Sequence, residues 1–269
     1  RSLTRDAARI VVTTQRAYAD EVYRQLPRLA RAQVLVEPSR RDTGPSVGMA
    51  AAYFAARGAH DEPLIQLASD HIFRNEALLR IALRAQGTLL REKPEMTVLL
   101  GAEPTYPETG LGYIERGTRR GRVLGVPWYT VRRFAEKPRL EIAKRYVNTG
   151  RFLWNMSVYG WCVDTLLGLY HRYQPAIARR LDAMQELFAR RASARAIGRV
   201  YEGMPTVSLD YAITERQDPK TLLVLPGEFG WSDVGHWASL VEVLGGGRGE
   251  EVKRGIVVQV KGRGNFVYS

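Results

Sequence analysis

Pro63-Leu-Ile-Gln-Leu-Ala-Ser-Asp-His71 is the stretch on which the fold turns: an apolar run of strand composition that stops abruptly at Ser69-Asp70-His71. Downstream, residues 75–92 have helical spacing, and Met96-Thr-Val-Leu-Leu-Gly101 reads as a second buried strand. Upstream, Ala8-Arg-Ile-Val-Val-Thr13 and Gln33-Val-Leu-Val-Glu37 read as strands, separated by helix-like spacing through Tyr18, Val22 and Leu26. A polar loop over residues 38–45 leads into a helix rich in small residues over 46–57, with Asp42 or Thr43 as its N-cap and Gly58 as its C′ residue. Strand and helix in alternation predict an α/β fold, a mixed and mostly parallel sheet with helices on both faces. Ligands bind such sheets at the carboxyl ends of strands. Asp70 and the 38–45 loop both sit at such ends.

The middle of the chain reads differently. Residues 112–115 and 128–134 look like strands flanking a charged glycine–arginine turn at 117–125. Amphipathic helical stretches follow at 140–149 and within 165–195, then a strand at 222–225 and a glycine-bracketed loop, Gly230-Trp-Ser-Asp-Val-Gly235. Gly245-Gly-Gly-Arg-Gly249 is a plausible boundary, so residues 1–245 are expected to form the main domain. Residues 246–269 would begin a C-terminal β extension, with strands at 256–260 and 265–268.

A chain of 269 residues with 45% hydrophobic and 25% charged residues suits one large α/β domain, or one with a short appendage. No window approaches 18 uncharged apolar residues, so no transmembrane helix is expected. The opening residues 1–6 lack the apolar core of a signal peptide and an initiator Met. The single cysteine, Cys162, reads as a small buried hydrophobe; with no disulfide partner in the chain, a reducing cytoplasm is the expected compartment. The net charge of +12 comes mostly from dispersed arginines, as at 119–120, 179–180 and 190–191, which read as solvated faces. No helix-turn-helix, zinc-finger or aromatic–basic motif accompanies them, so an anionic small substrate is expected rather than nucleic acid.

Several residues are of types that carry chemistry. A carboxylate at a strand's carboxyl end, as Asp70 is, can hold Mg²⁺ beside a polyphosphate, or can simply cap the next helix. His71 reads as a packing or hydrogen-bonding group. Asp233 offers a second carboxylate in a turn whose glycines permit close backbone approach, and Trp231 could wall a pocket; a structural turn is the alternative. Glu136 could accept hydrogen bonds from sugar hydroxyls and Lys137 could neutralise a phosphate, or the two could form a surface ion pair. Asn155 lies in a segment too apolar for a simple surface loop, so its amide needs partners, either sugar hydroxyls or nearby backbone. Thr109-Gly110-Leu-Gly112-Tyr113 lacks the helix that a dinucleotide fingerprint requires and is otherwise a turn. Arg40-Arg41-Asp-Thr-Gly44 offers charge and backbone donors to a nucleotide, or is a solvated loop.

In order, Glu37-Pro-Ser-Arg-Arg-Asp-Thr-Gly-Pro45, Ala68-Ser-Asp-His71, Pro107-Glu-Thr-Gly-Leu-Gly-Tyr-Ile114, Phe134-Ala-Glu-Lys-Pro138, Leu153-Trp-Asn155, Ser208-Leu-Asp-Tyr-Ala212 and Phe229-Gly-Trp-Ser-Asp-Val-Gly235 together resemble the mannose-1-phosphate guanylyltransferases. The resemblance covers roughly residues 8–245. It implies a Rossmann-like, GT-A-like nucleotidyltransferase fold, with 1–245 as its core, and the reaction of GTP with mannose 1-phosphate to give GDP-mannose and pyrophosphate. By the same likeness Asp70 and Asp233 hold Mg²⁺ and act with Lys137, which meets the sugar phosphate. Gly112 and Asn155 contact the sugar and Glu136 its hydroxyls. Arg41, Thr43 and Pro45 lie near guanine or ribose. Ser69, Tyr113, Asp210 and Trp231 fall in the matched motifs and are expected at the substrate. The family's glycine-rich signature is expected ahead of the first strand, and nothing before Ala8 matches it; this chain alone is therefore expected to be impaired in catalysis. Asp42 stands where the family usually has Asn, and Met156-Ser157 where smaller residues are commoner. The alternatives are a relative using another sugar or base, and a non-catalytic sugar-nucleotide sensor. Neither membrane nor nucleic acid is an expected partner; a homodimer is one candidate assembly.

Overall fold

The computed structural model describes residues 6–234, 252–254 and 266–268. In chain order its elements are β1 (Val12–Gln15), α1 (Ala19–Gln25), β2 (Val34–Glu37), α2 (Thr43–Ala55), β3 (Pro63–Gln66), β4 (Ile72–Phe73), α3 (Glu76–Glu92) and β5 (Thr97–Ala102). There follow β6 (Tyr113–Val123), β7 (Val126–Ala135), α4 (Leu140–Thr149), β8 (Phe152–Cys162), α5 (Val163–Tyr173), α6 (Pro175–Ala189), α7 (Ala194–Glu202) and α8 (Leu209–Ala212). β9 (Leu222–Pro226), β10 (Trp231–Ser232), β11 (Val252–Arg254) and β12 (Phe266–Tyr268) complete the described set.

The central sheet has the order β3-β8-β5-β9-β7-β6, and β8 pairs with β6 as well. β3, β5, β9 and β6 run one way while β7 and β8 run against them, so the sheet is mixed as expected. Neighbour pairs are nonetheless mostly antiparallel, because β8 inserts between β3 and β5; only β5 and β9 pair in parallel within this sheet. β1 and β2 form a separate parallel pair, and β11 pairs in parallel with β12. The expected boundary at 245–249 and strand at 256–260 lie outside the described residues.

Strict alternation sends the inner strands to two cores. Leu99, Tyr159, Trp161, Leu222 and Val224 pack with α2, α5, α6 and α7; Val98, Leu100, Val158, Cys162, Leu223 and Leu225 pack with α3. Helices therefore cover both faces. The small residues of α2 permit close approach: a Cβ on Gly48 would lie 2.8 Å from Leu181 Cδ1 of α6. A third, aromatic cluster joins α4 to the sheet through Tyr113, Tyr146, Phe152 and Trp154. Cys162 is buried and unpaired, its thiol within 3.5 Å of the Leu90 carbonyl. No helix of the described residues is long and apolar enough to cross a membrane.

Some expectations shift. The first strand starts at Val12 rather than Ala8, because residues 7–9 form a 3-10 turn. α2 begins at Thr43, three residues before the expected start, with the Asp42 carboxylate accepting from the Thr43 N–H at 2.7 Å. The 117–125 segment is not a long charged turn. β6 and β7 run on as a hairpin that closes at Leu124–Gly125, both at positive φ (48° and 83°), the geometry of a tight two-residue turn. Its arginines face solvent along the ribbon, which is why charge there does not signal a loop. Pro175 at the start of α6 divides the expected 165–195 helical stretch. Replacing Leu99, fully buried in β5, by Ala is expected to cost about 2–5 kcal/mol in chemical unfolding, because the surrounding strands cannot collapse onto the void.

Candidate active site

The two aspartates singled out by sequence are drawn together by a two-residue bridge. β4 pairs antiparallel with β10, Phe73 opposite Trp231 and Ile72 opposite Ser232. Continued by one step, this register sets His71 opposite Asp233, with Asp70 beside it. The Arg74 N–H to the Gly230 carbonyl (3.2 Å) and the Asn75 N–H to the Phe229 carbonyl (2.9 Å) extend the bridge on its other side. Burial lowers the pKa of the His71 imidazole, and the charges of Asp70 and Asp233 both oppose that shift, so both carboxylates are close to the ring. The ring packs edge-on against Trp231 at 5.5 Å.

Next to this bridge lies a cleft lined by His71, Gly110, Leu111, Gly112, Glu136, Lys137, Asn155, Ser157, Asp210, Trp231 and Asp233. Seven of the sequence candidates thus converge there: Gly112, Glu136, Lys137, Asn155, Asp210, Trp231 and Asp233. Glu136 leaves the end of β7 with its side chain only 6% exposed. Its Oε1 lies 3.4 Å from Lys137 Nζ, while its Oε2 is buried without a partner. A Cβ at position 112 would come within 2.6 Å of that oxygen, so glycine is what keeps the carboxylate edge open. Asn155 Nδ2 donates to Tyr159 Oη at 2.6 Å and to Asp210 Oδ1 at 3.0 Å, and its Oδ1 accepts from the Ser157 N–H at 3.1 Å.

The backbone around the cleft is unusual. Lys137 (φ 44°), Ser157 (φ 49°) and, beside Asp233, Val234 (φ 49°) all adopt the left-handed conformation that favours glycine. Ser157 lies where β8 is two residues longer than its partner: Leu99 and Gly101 of β5 face Tyr159 and Asn155. Beyond that bulge Asn155 pairs with Gly101 and keeps the sheet face of Tyr159, to whose hydroxyl its amide donates.

The other candidates sit elsewhere. Ser69 and Asp70 are exposed at the turn before β4 and are not part of the cleft wall. Tyr113 is buried, and its hydroxyl donates to the Glu108 carbonyl at 2.8 Å, so it shapes the 108–112 loop. Arg41 donates to Ser39 Oγ and to the Glu202 carbonyl, Thr43 Oγ1 accepts from the Leu209 N–H at 2.9 Å, and Pro45 is buried in α2. Arg41 and Thr43 are thus tied to the 202–209 segment, and none of the three lines the cleft. His71 and Ser157 line the cleft without having been site candidates. His71 adjoins Asp70 in sequence, but the positive φ of Ser157 has no signature in residue type.

This geometry can be set beside known proteins. The nucleotidyl transferase family profile matches residues 1–246. The chain belongs to the nucleotidyl transferase family. It is 32% identical over 254 residues to the mannose-1-phosphate guanylyltransferase of Escherichia coli, covering 93% of this chain and 52% of that protein. It is 32% identical over 236 residues to the xanthan biosynthesis protein XanB of Xanthomonas campestris, covering 87% and 48% respectively. It thus spans about half the length of the curated relatives it matches. Among solved structures, a mannose-1-phosphate geranyltransferase from Thermus thermophilus superposes with a TM-score of 0.75 at 32% identity, over 90% of this chain and 66% of that one.

Nucleotidyltransferases of this family generally use a divalent metal. The donor set here fits one that is shared with a ligand. Among the described residues no group of three or more His, Cys, Asp or Glu could enclose an ion. Two carboxylates across the β4–β10 bridge suit a hard cation that takes its remaining oxygens from phosphate and water.

Two measurements follow from the nucleotidyltransferase cleft. Burial, reinforced by the Asp210 charge and opposed by Lys137, pushes the Glu136 carboxyl from 4.5 up to about 7. Between those values the folded chain keeps a proton that the unfolded chain releases, so this group's contribution to stability falls as pH rises across the window and levels off above it. Glu136→Gln should remove that slope: its stability relative to wild type, from urea midpoints, should be greater at pH 8 than at pH 5. Separately, Ser157→Gly should raise stability by about 1 kcal/mol by relieving the left-handed backbone, seen as a melting temperature higher by roughly 2–4 °C.

Proposed function

We propose that this chain joins GTP and α-D-mannose 1-phosphate to give GDP-mannose and pyrophosphate, with Mg²⁺ at Asp70 and Asp233. The observation that carries the reading is the cleft itself: hydroxyl acceptors on Glu136 and Asn155, one cation on Lys137, and a carboxylate pair at its rim. The names of the relatives from Escherichia coli and Thermus thermophilus support the sugar phosphate.

In this reading Glu136 Oε2, buried and without a protein partner, accepts from sugar hydroxyls, and the absent Cβ of Gly112 makes room for the ring. Lys137, half exposed at the end of the cleft, offsets the charge of the sugar phosphate as a point charge. A phosphate oxygen of the sugar phosphate attacks the α-phosphorus of GTP, the bond to the bridging oxygen breaks, and pyrophosphate leaves with the electron pair. The attacking oxygen is already ionised, so the chain supplies alignment and charge rather than a general base. Bound Mg²⁺ would neutralise the triphosphate and hold it beside the sugar phosphate. Arg41 uses only part of its donor set on Ser39 and Glu202, leaving further N–H groups for a nucleotide on the α2 side. Cys162, single and buried, suits a reducing cytoplasm.

Pyrophosphate release measured over a panel of nucleoside triphosphates and sugar 1-phosphates tests the reading. GTP with mannose 1-phosphate should give the highest kcat/KM, and no release from that pair would overturn it. Asp70→Asn and Asp233→Asn should each lower kcat by at least ~100-fold, the scale of losing charge stabilisation at a phosphoryl centre. Activity retained in either variant would remove that residue from the metal site.

A further inference from the structure

The β6–β7 hairpin runs away from the cleft. β6 starts at Tyr113, next to Gly112 of the cleft wall, and its last residue, Val123, is roughly 30 Å distant at the usual strand rise. The tip breaks a local rule. Val123 faces Val126 across the ladder, so Leu124 and Gly125 alone make the connection, both at positive φ (48° and 83°). Such turns favour Asn-Gly, because the Cβ of a leucine crowds the backbone in the left-handed conformation. Leu124 gains no burial in exchange. Val123 and Val126 pack on the α3 side, whereas Leu124 is 57% exposed. Neither turn chemistry nor core packing accounts for a leucine at this position.

Behind the tip the ribbon is basic. Residues 116–133 hold six arginines and no aspartate or glutamate. Arg116 is paired with Glu103 and Arg133 with Glu115, both toward the inner end of the ribbon. Arg119, Arg120 and Arg122 are exposed. Among the described residues Arg119 and Arg120 have no ion pair or side-chain hydrogen bond, and Arg122 Nη1 donates to the Gly125 carbonyl at 2.8 Å, which holds its charge beside the tip. Gly121 and Val123 face the α3 side with their partners Trp128 and Val126, so Arg122 between them takes the opposite face. Arg119 shares that face through its pairing with Tyr129, which packs on the α2 side. The hairpin thus collects on one side arginines that the sequence disperses.

We propose that the tip of the β6–β7 hairpin docks on a bilayer surface that carries anionic phospholipid. Leu124 enters the boundary between headgroups and acyl chains, and Arg119, Arg120 and Arg122 meet the lipid phosphates behind it. One apolar side chain and a small basic patch are each a weak signal, and together they give reversible, salt-sensitive attachment. Charge complementarity selects an anionic partner, and the exposed leucine selects one with an apolar layer beneath its charge. A nucleic acid has no use for Leu124 and finds no free ring for its bases: Lys93 Nζ lies 5.9 Å from the Trp128 ring, and the Arg116 guanidinium 5.9 Å from that of Tyr129. The cleft lies at the other end of the ribbon, so attachment leaves it open to substrates.

The test is co-flotation of the full chain with vesicles of phosphatidylcholine alone and of phosphatidylcholine mixed with phosphatidylglycerol, at low and high salt. Wild type should bind the mixed vesicles at least about tenfold more tightly than the neutral ones, and high salt should abolish the difference. Leu124→Asn suits the turn better than leucine, so it should melt at a higher temperature while binding the mixed vesicles at least about tenfold more weakly. Lost attachment in a more stable protein is not a folding defect. The double variant Arg119→Ser/Arg120→Ser should keep its melting temperature and lose most of the preference for anionic lipid. A wild type that does not float with the mixed vesicles overturns the proposal, as does Leu124→Asn binding as tightly as wild type. Without vesicle binding, a self-association in ultracentrifugation that Leu124→Asn abolishes would assign the tip to a second copy of the chain, and oligonucleotide binding that Leu124→Asn retains would assign the ribbon to nucleic acid; either overturns it.

Discussion

Everything in the cleft depends on the register of β8. This strand pairs with β3, β5 and β6, so its side chains are addressed to two cores and to the cleft by position alone. Tyr159 and Trp161 face the α2–α5–α6 side, while Val158 and Cys162 face α3. Between these halves the strand carries two surplus residues against β5, and it keeps the alternation because the surplus is an even number. Ser157 absorbs the surplus in a left-handed conformation. The strain at that one residue is offset by the ladder on either side, and Asn155 re-enters the ladder opposite Gly101.

The β4–β10 bridge works on a smaller scale by the same logic. Four residues in antiparallel register tie the turn after β3 to the loop after β9, segments far apart in sequence. His71 is the contact between them, stacked edge-on to Trp231 and kept toward its neutral form by burial.

Much of this was legible in sequence, for physical reasons. Asn75, Gly150 and the apolar runs of β2, β3, β5 and β9 mark their elements through capping and burial, which depend on residue type. The grouping of Gly112, Glu136, Lys137, Asn155, Asp210, Trp231 and Asp233 was readable only through the order of the motifs that carry them; taken singly, these residues read as well as turns, caps or ion pairs. β8 was not readable as a strand: Phe152–Cys162 is apolar on both faces, interrupted by Asn155 and Ser157, and so shows no period. The arginines of the β6–β7 ribbon hid a hairpin for another reason: Arg119, Arg120 and Arg122 crowd charge onto the outer half of β6, although Val123, Val126 and Trp128 of the same half pack on the α3 side. The bulge at Ser157 is encoded by no local pattern.

The charge of the cleft runs against that of the chain. The sequence carries a net charge of +12, yet the cleft wall holds Glu136, Asp210 and Asp233 against Lys137 alone, with Asp70 at the rim. Burial raises the pKa of both Glu136 and Asp210, and the Asp210 charge raises that of Glu136 further. Such a wall repels a polyphosphate unless positive charge arrives with it. A divalent cation, which nucleotidyltransferases of this family generally use, would be the largest local charge beside such a wall. The net positive charge of the chain acts at longer range, where it raises the local concentration of anions, while the cleft wall itself is acidic.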